Sequence, residues 1–447
     1  MRINLSPVQK LLLYCARSPQ REHDEEAAKE IKSIIKNKIR WENFISRAKF
    51  LGIAPNCYLH LKQFKDEVPS HIQERLQELF AKNAAQNTRL WSSLKEILRS
   101  FNQAQIDAIP LKGPYLSEAL YANIGLRSSS DIDLLIRKQD FGRAKDVLAT
   151  LGYAPVRLIP YTEKFSLDYR RHEQFIASDP SKHMPLIELH WNFYITSPRE
   201  YDMTSVWKYD IPEKIDDVSF LSLPPTLTLL HLAINLRLHG FLNLKQLADL
   251  DALVARAKSE AGIEMIHDIR TEKKQEAKHD IKSEMKRDTK FKTKHETKYA
   301  ISWDYAAKQA QLNRQRVGLF YALSFARELL GTEVPAAILD HIKPGWLQDK
   351  LVRSIIKPWR ILSSDKDSVP KIYWDVVRIA TSDSLMDAIR IIWSTALSHP
   401  EDLMARYGLG IRSLSSSSFL SRLLQPLYLL REACKILFGF MKRKKKE

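Results

Sequence analysis

The sequence predicts an α+β protein that is mostly helical, with a small mixed β-sheet core flanked by N- and C-terminal helical regions. Three observations carry this expectation. Glycine is scarce, at 13 of 447 residues, and the chain is rich in Leu, Ile, Ala and Lys, which favours helix over most of its length. Apolar residues recur at helical spacing through the first hundred residues and again after Pro224-Pro225. Between residues 105 and 215 the pattern changes to short apolar runs closed by turn residues, the mark of buried strands.

Taken in order, Ser6 followed by Pro7 reads as an N-cap with proline at the first helical position, leading into Val8, Leu11, Leu12 and Leu13. Trp41, Phe44, Ile45, Ala48 and Leu51 share a helical face. Val68-Pro69-Ser70 opens a helix through Ile72, Leu76, Leu79 and Phe80, and a further periodic stretch spans Leu90 to Phe101. Ile106 to Leu111 reads as a buried strand ended by Lys112-Gly113-Pro114. Pro114 to Tyr121 is a short helix, Asp131 to Ile136 a second strand, and Phe141 to Leu151 a helix stopped by Gly152. Glu173–Ser178 and Leu186–Trp191 are two more strands, separated by Asp179-Pro180-Ser181. Helices resume with Leu229, Leu232, Ala233 and Leu236, then Leu244, Leu247, Leu250 and Leu253, and run from Trp303 to Leu330 and, with breaks, to Leu397. The expected organisation is a helical region over 1–104, an α/β core over 105–215, and a C-terminal helical region over 216–258 and 301–410.

At roughly 100–200 residues per domain, this length allows two or three domains. With 44% apolar and 28% charged residues, a wholly disordered chain is excluded. Cys15, Cys57 and Cys434 form no CxxC pair, which excludes a zinc ribbon and a disulfide scaffold and fits a reducing compartment. The start has no apolar leader and no run of about 18 apolar residues occurs, so a cytoplasmic protein without a transmembrane helix is expected. The net charge of +17 calls for an anionic partner: nucleic acid, nucleotide or an acidic membrane. Part of that charge is local. HDIRTEKKQEAK over 267–278 is followed by HDIKSEMKRDTK over 279–290, a tandem twelve-residue repeat within a charged segment spanning 259–300. With almost nothing apolar to bury, it reads as a solvated insertion. Acidic residues interleave with the basic ones, so nucleic acid is not favoured as its partner. Residues 419–447 carry Leu420, Leu423, Leu424, Leu427 and Leu430 ahead of the polybasic end 442–446. They read either as an amphipathic helix lying on an anionic membrane, peripheral to the inner membrane, or as a last core helix with a charged tail.

The residues able to carry chemistry lie in the α/β core. Alternate side chains of a strand share a face, so Asp131 and Asp133 point one way and Ile132 and Leu134 the other. Glu188 and His190 likewise share a face opposite Leu189. If the two strands are neighbours, three carboxylates converge, and their repulsion calls for a cation. Oxygen ligands favour Mg2+ or Mn2+, and a pair of such ions suits in-line phosphoryl or nucleotidyl transfer. Gly113 lets the chain approach a phosphate closely, and Lys112 and Arg127 add positive charge, Arg127 in a bidentate manner.

These segments resemble the nucleotidyltransferase superfamily that includes DNA polymerase beta, in which a glycine turn precedes a strand bearing Asp-x-Asp and a later strand bears a third acid. They are more closely similar to a bacterial family of nucleotidyltransferase proteins with the pattern Leu-Lys-Gly, Arg, Asp-Ile-Asp-Leu-Leu and acid-Leu-His-Trp. Leu111-Lys112-Gly113, Arg127, Asp131–Leu135 and Glu188–Trp191 match that pattern, and the flanking helices extend the likeness to about Tyr407. The resemblance implies that Asp131, Asp133 and Glu188 hold the metals, that Glu188 helps take the acceptor's proton, and that Gly113 binds phosphate. It implies a nucleoside triphosphate as substrate, a hydroxyl-bearing acceptor, and pyrophosphate as product. The chain departs from the superfamily at Gly113-Pro114, where Gly-Ser or Gly-Gly is usual, and in a longer spacing from Gly113 to Asp131. Ser128, Ser129 or Ser130 could supply the missing hydroxyl. The alternative is a catalytically inactive adaptor or nucleotide-binding protein on the same fold.

Other residues are weaker candidates. His190 reads as a neutral imidazole hydrogen-bonded beside the site or packed on Trp191, in preference to a metal ligand. His231 and His239 lack acidic partners at ligand spacing, and Trp191, Trp207 and Trp303 read as core. No GxGxxG, GxxxxGK[ST], HExxH or GxSxG motif occurs.

Overall fold

The structure is a computed structural model. It describes residues 5–19, 25–36, 39–156, 167, 170–196, 199–259, 300–362 and 372–396. The tail 419–447, and all of the charged segment but its two end residues, lie outside the described residues.

The N-terminal region forms helices α1 (Pro7–Ala16), α2 (Glu25–Ile35), α3 (Trp41–Phe50), α4 (Ala54–Leu61) and α5 (Ser70–Gln103). Ser6 caps α1 in a reciprocal capping box with Gln9, so two otherwise orphaned backbone N–H groups are satisfied. The two periodic stretches after Pro69 are one helix of 34 residues. The apolar face lapses between Phe80 and Leu90 because α5 there binds a loop through polar side chains. Asn83 Nδ2 donates to the carbonyls of Gly125 (2.8 Å) and Arg127 (3.1 Å), and Asn87 Nδ2 donates to that of Arg127 (2.8 Å). No Gly or Pro interrupts residues 81–89, so the helix persists across the polar gap.

The α/β core is a five-stranded sheet in the order β1-β2-β5-β4-β3. Its strands are β1 (Ala108–Pro110), β2 (Asp131–Ile136), β3 (Tyr153–Pro155), β4 (His172–Ala177) and β5 (Leu186–His190), with α6 (Pro114–Tyr121) and α7 (Phe141–Thr150) between them. β2 and β5 are parallel, with Asp133 opposite Glu188, while β1 with β2, β4 with β5 and β3 with β4 are antiparallel. Ile132, Leu134, Ile136, Ile187, Leu189 and Phe175 line one face of the sheet, packed with Leu94, Leu98 and Phe101 of α5 and Phe141, Ala144 and Leu148 of α7. That apolar cover leaves the opposite face to the polar side chains.

Among the described residues, five strands escape the sequence pattern, two of them the two-residue pair Ile195–Thr196 and Arg199–Glu200. β3 has three residues, and Ile211–Ile215 pairs with Val218–Ser222 in a hairpin that packs on α5 and β1. Asp216, at positive φ, forms its turn, a conformation acidic side chains tolerate better than most. The hairpin straddles residue 215, where the α/β core was expected to close.

The C-terminal region has helices over Pro225–Leu238, 244–259, Trp303–Leu312, Arg316–Leu330, Ala336–Ile342, Trp346–Ile355, Ile372–Ala380 and Leu385–Ala396. All but the last of these helices share one buried cluster with α1–α4: Leu11, Phe44, Leu61, Leu232, Leu250 and Tyr321 all belong to it. The helix over 244–259 is its polar tie, where Asp251 accepts from the Ser18 N–H (2.7 Å) and the Thr332 hydroxyl (2.6 Å). Among the described residues, no helix is long and apolar enough to cross a membrane.

Candidate active site

Strand register builds the site. Parallel pairing of β2 with β5 sets Asp133 beside Glu188, and antiparallel pairing of β5 with β4 sets Gln174 beside Glu188 and His172 beside His190. With period-2 alternation, Asp131, Asp133, Glu188, His190, His172 and Gln174 occupy one face. Leu111 N–H donates to the Asp133 carbonyl at 3.0 Å, continuing the β1–β2 ladder. Lys112, the next residue, then reaches back over the sheet, its Nζ 2.6 Å from Asp133 Oδ1.

The same Asp133 oxygen lies 3.1 Å from His190 Nε2, which also stands 3.4 Å from Glu188 Oε2. Gln174 Nε2 donates to Glu188 Oε1 at 2.9 Å. His172 stacks on His190 with ring centroids 4.8 Å apart. Asp133 and His190 are each 1% exposed, whereas Glu188 and Lys112 keep a small opening to solvent.

The three carboxyls are unlike electrostatically. Burial raises Asp131, and the charge of Asp133 raises it further. Burial also works against ionisation of Asp133, but Lys112 and then His190 prevail and hold it well below the usual carboxylate range. Burial opposes Glu188 likewise, but the hydrogen bond from His190 and the charges of His172 and His190 together outweigh it, bringing the carboxyl down to about 2. His172 is buried beside His190 and Arg171, and its ring is held well below the usual histidine range. At neutral pH the site is therefore an anionic pocket with Lys112 as its nearest cation.

Gly113 is the N-cap of α6, at φ 67° and ψ −144°, a region occupied almost only by glycine. A Cβ there would lie 2.8 Å from the Asp131 carbonyl oxygen. The glycine thus lets the 112–114 turn press against the start of β2. Pro114 follows at the first helical position and has no N–H to offer a ligand.

Arg127 is 4% exposed, and its Nε donates to both oxygens of Asp249 at 3.0 Å. Its Nη1 donates to the Gly113 carbonyl (3.3 Å) and to Ser129 Oγ (3.2 Å). The guanidinium's Nε and Nη1 are thus engaged inside the protein, beneath the Gly113 turn. A buried charge needs a buried partner, and that partner comes from a distant helix the spacing of residues could not indicate. Ser129 is buried on Arg127, while Ser130 is exposed and its hydroxyl lies 3.4 Å from Asp131 Oδ1.

The helix over 244–259 contributes a second cation that sequence reasoning did not single out. Lys245 Nζ donates to the Ser128 carbonyl at 2.9 Å. Burial, then the Arg127 charge, brings its ammonium down to about 8. Its stem crosses Gly52, where a Cβ would stand 3.3 Å from Lys245 Cδ. Asp249 accepts the Tyr121 hydroxyl at 3.1 Å besides Arg127, fastening this helix to the α/β core.

Asp133, Glu188 and His190 present one ligand atom each within 4.8 Å of one another, a set that could hold a metal ion. Two carboxylates and one imidazole suit a divalent cation. A family model described as "Uncharacterised nucleotidyltransferase" matches residues 37–276, more than half of the chain. No curated protein and no solved structure matches it.

Proposed function

The chain belongs to the uncharacterised nucleotidyltransferase family, and from that premise we propose that it transfers a nucleoside monophosphate from a triphosphate to a hydroxyl-bearing acceptor, releasing pyrophosphate. The observation that supports the reading best is Asp133 opposite Glu188 on adjacent strands, with Asp131 on the same face and the Gly113 turn alongside. Bound Mg2+ or Mn2+ would neutralise triphosphate charge and acidify the acceptor hydroxyl. Asp131, Asp133 and Glu188 are the residues that would hold it.

The chain's own groups divide the remaining work. Lys112, 2.6 Å from Asp133 and partly open to solvent, is within reach of a phosphate entering at the turn. Gly113 gives backbone access there, and the exposed Ser130 hydroxyl can donate to a phosphate oxygen. Arg127 keeps Ser129 and the Gly113 carbonyl in position from beneath. Glu188, ionised at neutral pH, can accept a hydrogen bond from the acceptor hydroxyl and so orient it. His190 and Gln174 fix the orientation of Glu188.

Calorimetric titration of the full chain with magnesium-ATP, -CTP, -GTP and -UTP tests this reading. Binding of at least one nucleotide is expected, and a silent titration with all four would overturn it. A second reading, a nucleotide-binding adaptor without catalysis, is favoured by Pro114, which withdraws an N–H from the phosphate turn. Pyrophosphate release would exclude it.

The setting proposed is cytoplasmic, with residues 419–447 resting on an anionic membrane surface through apolar and basic residues together. The full chain is then expected to sediment with vesicles rich in phosphatidylglycerol, and a chain ending at residue 418 to stay in the supernatant. Equal sedimentation of both would end the assignment.

A further inference from the structure

We infer that His190 supplies a nitrogen ligand to the cation held by Asp133 and Glu188, so that the site selects a divalent first-row transition ion over magnesium. The inference rests on the reading of Asp133 and Glu188 as cation ligands and goes beyond it by adding His190 and a choice of metal.

Geometry comes first. Two ligands at right angles on one ion, each about 2.1 Å from it, lie about 3 Å apart. His190 Nε2 is 3.1 Å from Asp133 Oδ1 and 3.4 Å from Glu188 Oε2. The imidazole nitrogen therefore already stands at neighbouring-ligand distance from both carboxylates.

The ring's surroundings point the same way. His190 is 1% exposed, and its Nε2 faces the two carboxylates. Among the described residues Nδ1 has no hydrogen-bond partner, and it is buried. A bound cation would replace the proton that Nε2 directs at the two carboxylates, and the ring would then carry its proton on Nδ1. The ring of His172 lies against the imidazole, at 31° between planes.

Chemistry then sets the preference. Magnesium is hard and favours oxygen, whereas imidazole suits transition ions, and a mixed oxygen–nitrogen set shifts selectivity toward them. Lys112 shares Asp133 Oδ1, so entry of any divalent ion displaces an ammonium, and the imidazole nitrogen is what discriminates between ions.

Manganese alone, added to the full chain, is the probe. Bound manganese is expected to show 14N modulation in pulsed electron paramagnetic resonance, changing to the 15N pattern in protein labelled with 15N-histidine. Magnesium is expected to displace it only at concentrations about tenfold higher or more. His190→Gln should erase the modulation and bring the manganese-to-magnesium preference down about tenfold. His172→Gln should leave both in place. The labelled wild-type measurement decides the matter even if His190→Gln fails to fold. Manganese bound without nitrogen modulation, or modulation lost in His172→Gln and kept in His190→Gln, would overturn this inference while leaving the cation reading of the carboxylates standing. No binding of either ion at millimolar concentration would overturn both.

Discussion

Replacement of Asp133 by asparagine is expected to lower pyrophosphate release at least about a thousandfold, roughly 4 kcal/mol of lost transition-state stabilisation. Asp133 is where Lys112, His190 and the register partner Glu188 meet. Asparagine keeps the volume and can still accept a hydrogen bond, so the fold should persist, and an unchanged circular dichroism spectrum checks that it does. The charge that draws a cation and sets the Lys112 ammonium is what disappears. The assay follows pyrophosphate from whichever triphosphate binds. Activity within tenfold of the unaltered protein would remove Asp133 from the proposed machinery.

The largest effect on stability is expected at Asp249. Asp249→Ala strands the Arg127 guanidinium and the Tyr121 hydroxyl in a dry interior, since Asp249 is 0% and Arg127 4% exposed. Breaking a buried pair by removing one partner costs about 3–5 kcal/mol, most of it the unpaired charge. Denaturant titration should therefore give a lower midpoint at unchanged slope, with the shift multiplied by the slope equal to that loss. The double variant Arg127→Met/Asp249→Leu carries no orphaned charge and should recover most of the loss, a coupling expected of residues in direct contact. A single-variant loss below about 1 kcal/mol would mean that water or another group reaches Arg127. Because Arg127 also holds Ser129 and the Gly113 carbonyl, the single variant is expected to weaken triphosphate binding as well.

Much of this architecture was legible before any coordinates. Pro114–Tyr121 and Asp131–Ile136 have the bounds that their punctuation indicates, a Gly-Pro start in one case and an alternating acidic–apolar run in the other. The Ser6 N-cap is a local device and was readable for that reason; its reciprocal partner Gln9 came only with the structure. The middle of α5 was not readable as helix by period, because Asn83, Gln86 and Asn87 answer to the carbonyls of a loop some forty residues away. His190 is expected hydrogen-bonded beside the site, and its contacts with Asp133 and Glu188 bear that out. Its face was evident from the strand pattern, but the distance of its Nε2 from two carboxylates depends on β5 lying beside β2. The hairpin over 211–222 has too few apolar residues on one face to announce itself, and it is held by α5 and β1.

The sequence by itself determined which side chains could act together: alternation along a strand obliges Asp131 and Asp133, and separately Glu188 and His190, to share a face, and glycine is demanded where the chain presses on β2. Tertiary structure alone decided which of those faces meet. β5 is inserted between β2 and β4 although 49 residues, 137–185, lie between it and β2, and Asp249 arrives from a helix more than a hundred residues beyond Arg127. Local preferences act over a few residues and are written in residue type. Partners across such distances are chosen by burial and charge compensation, which exist only once the chain has closed on itself.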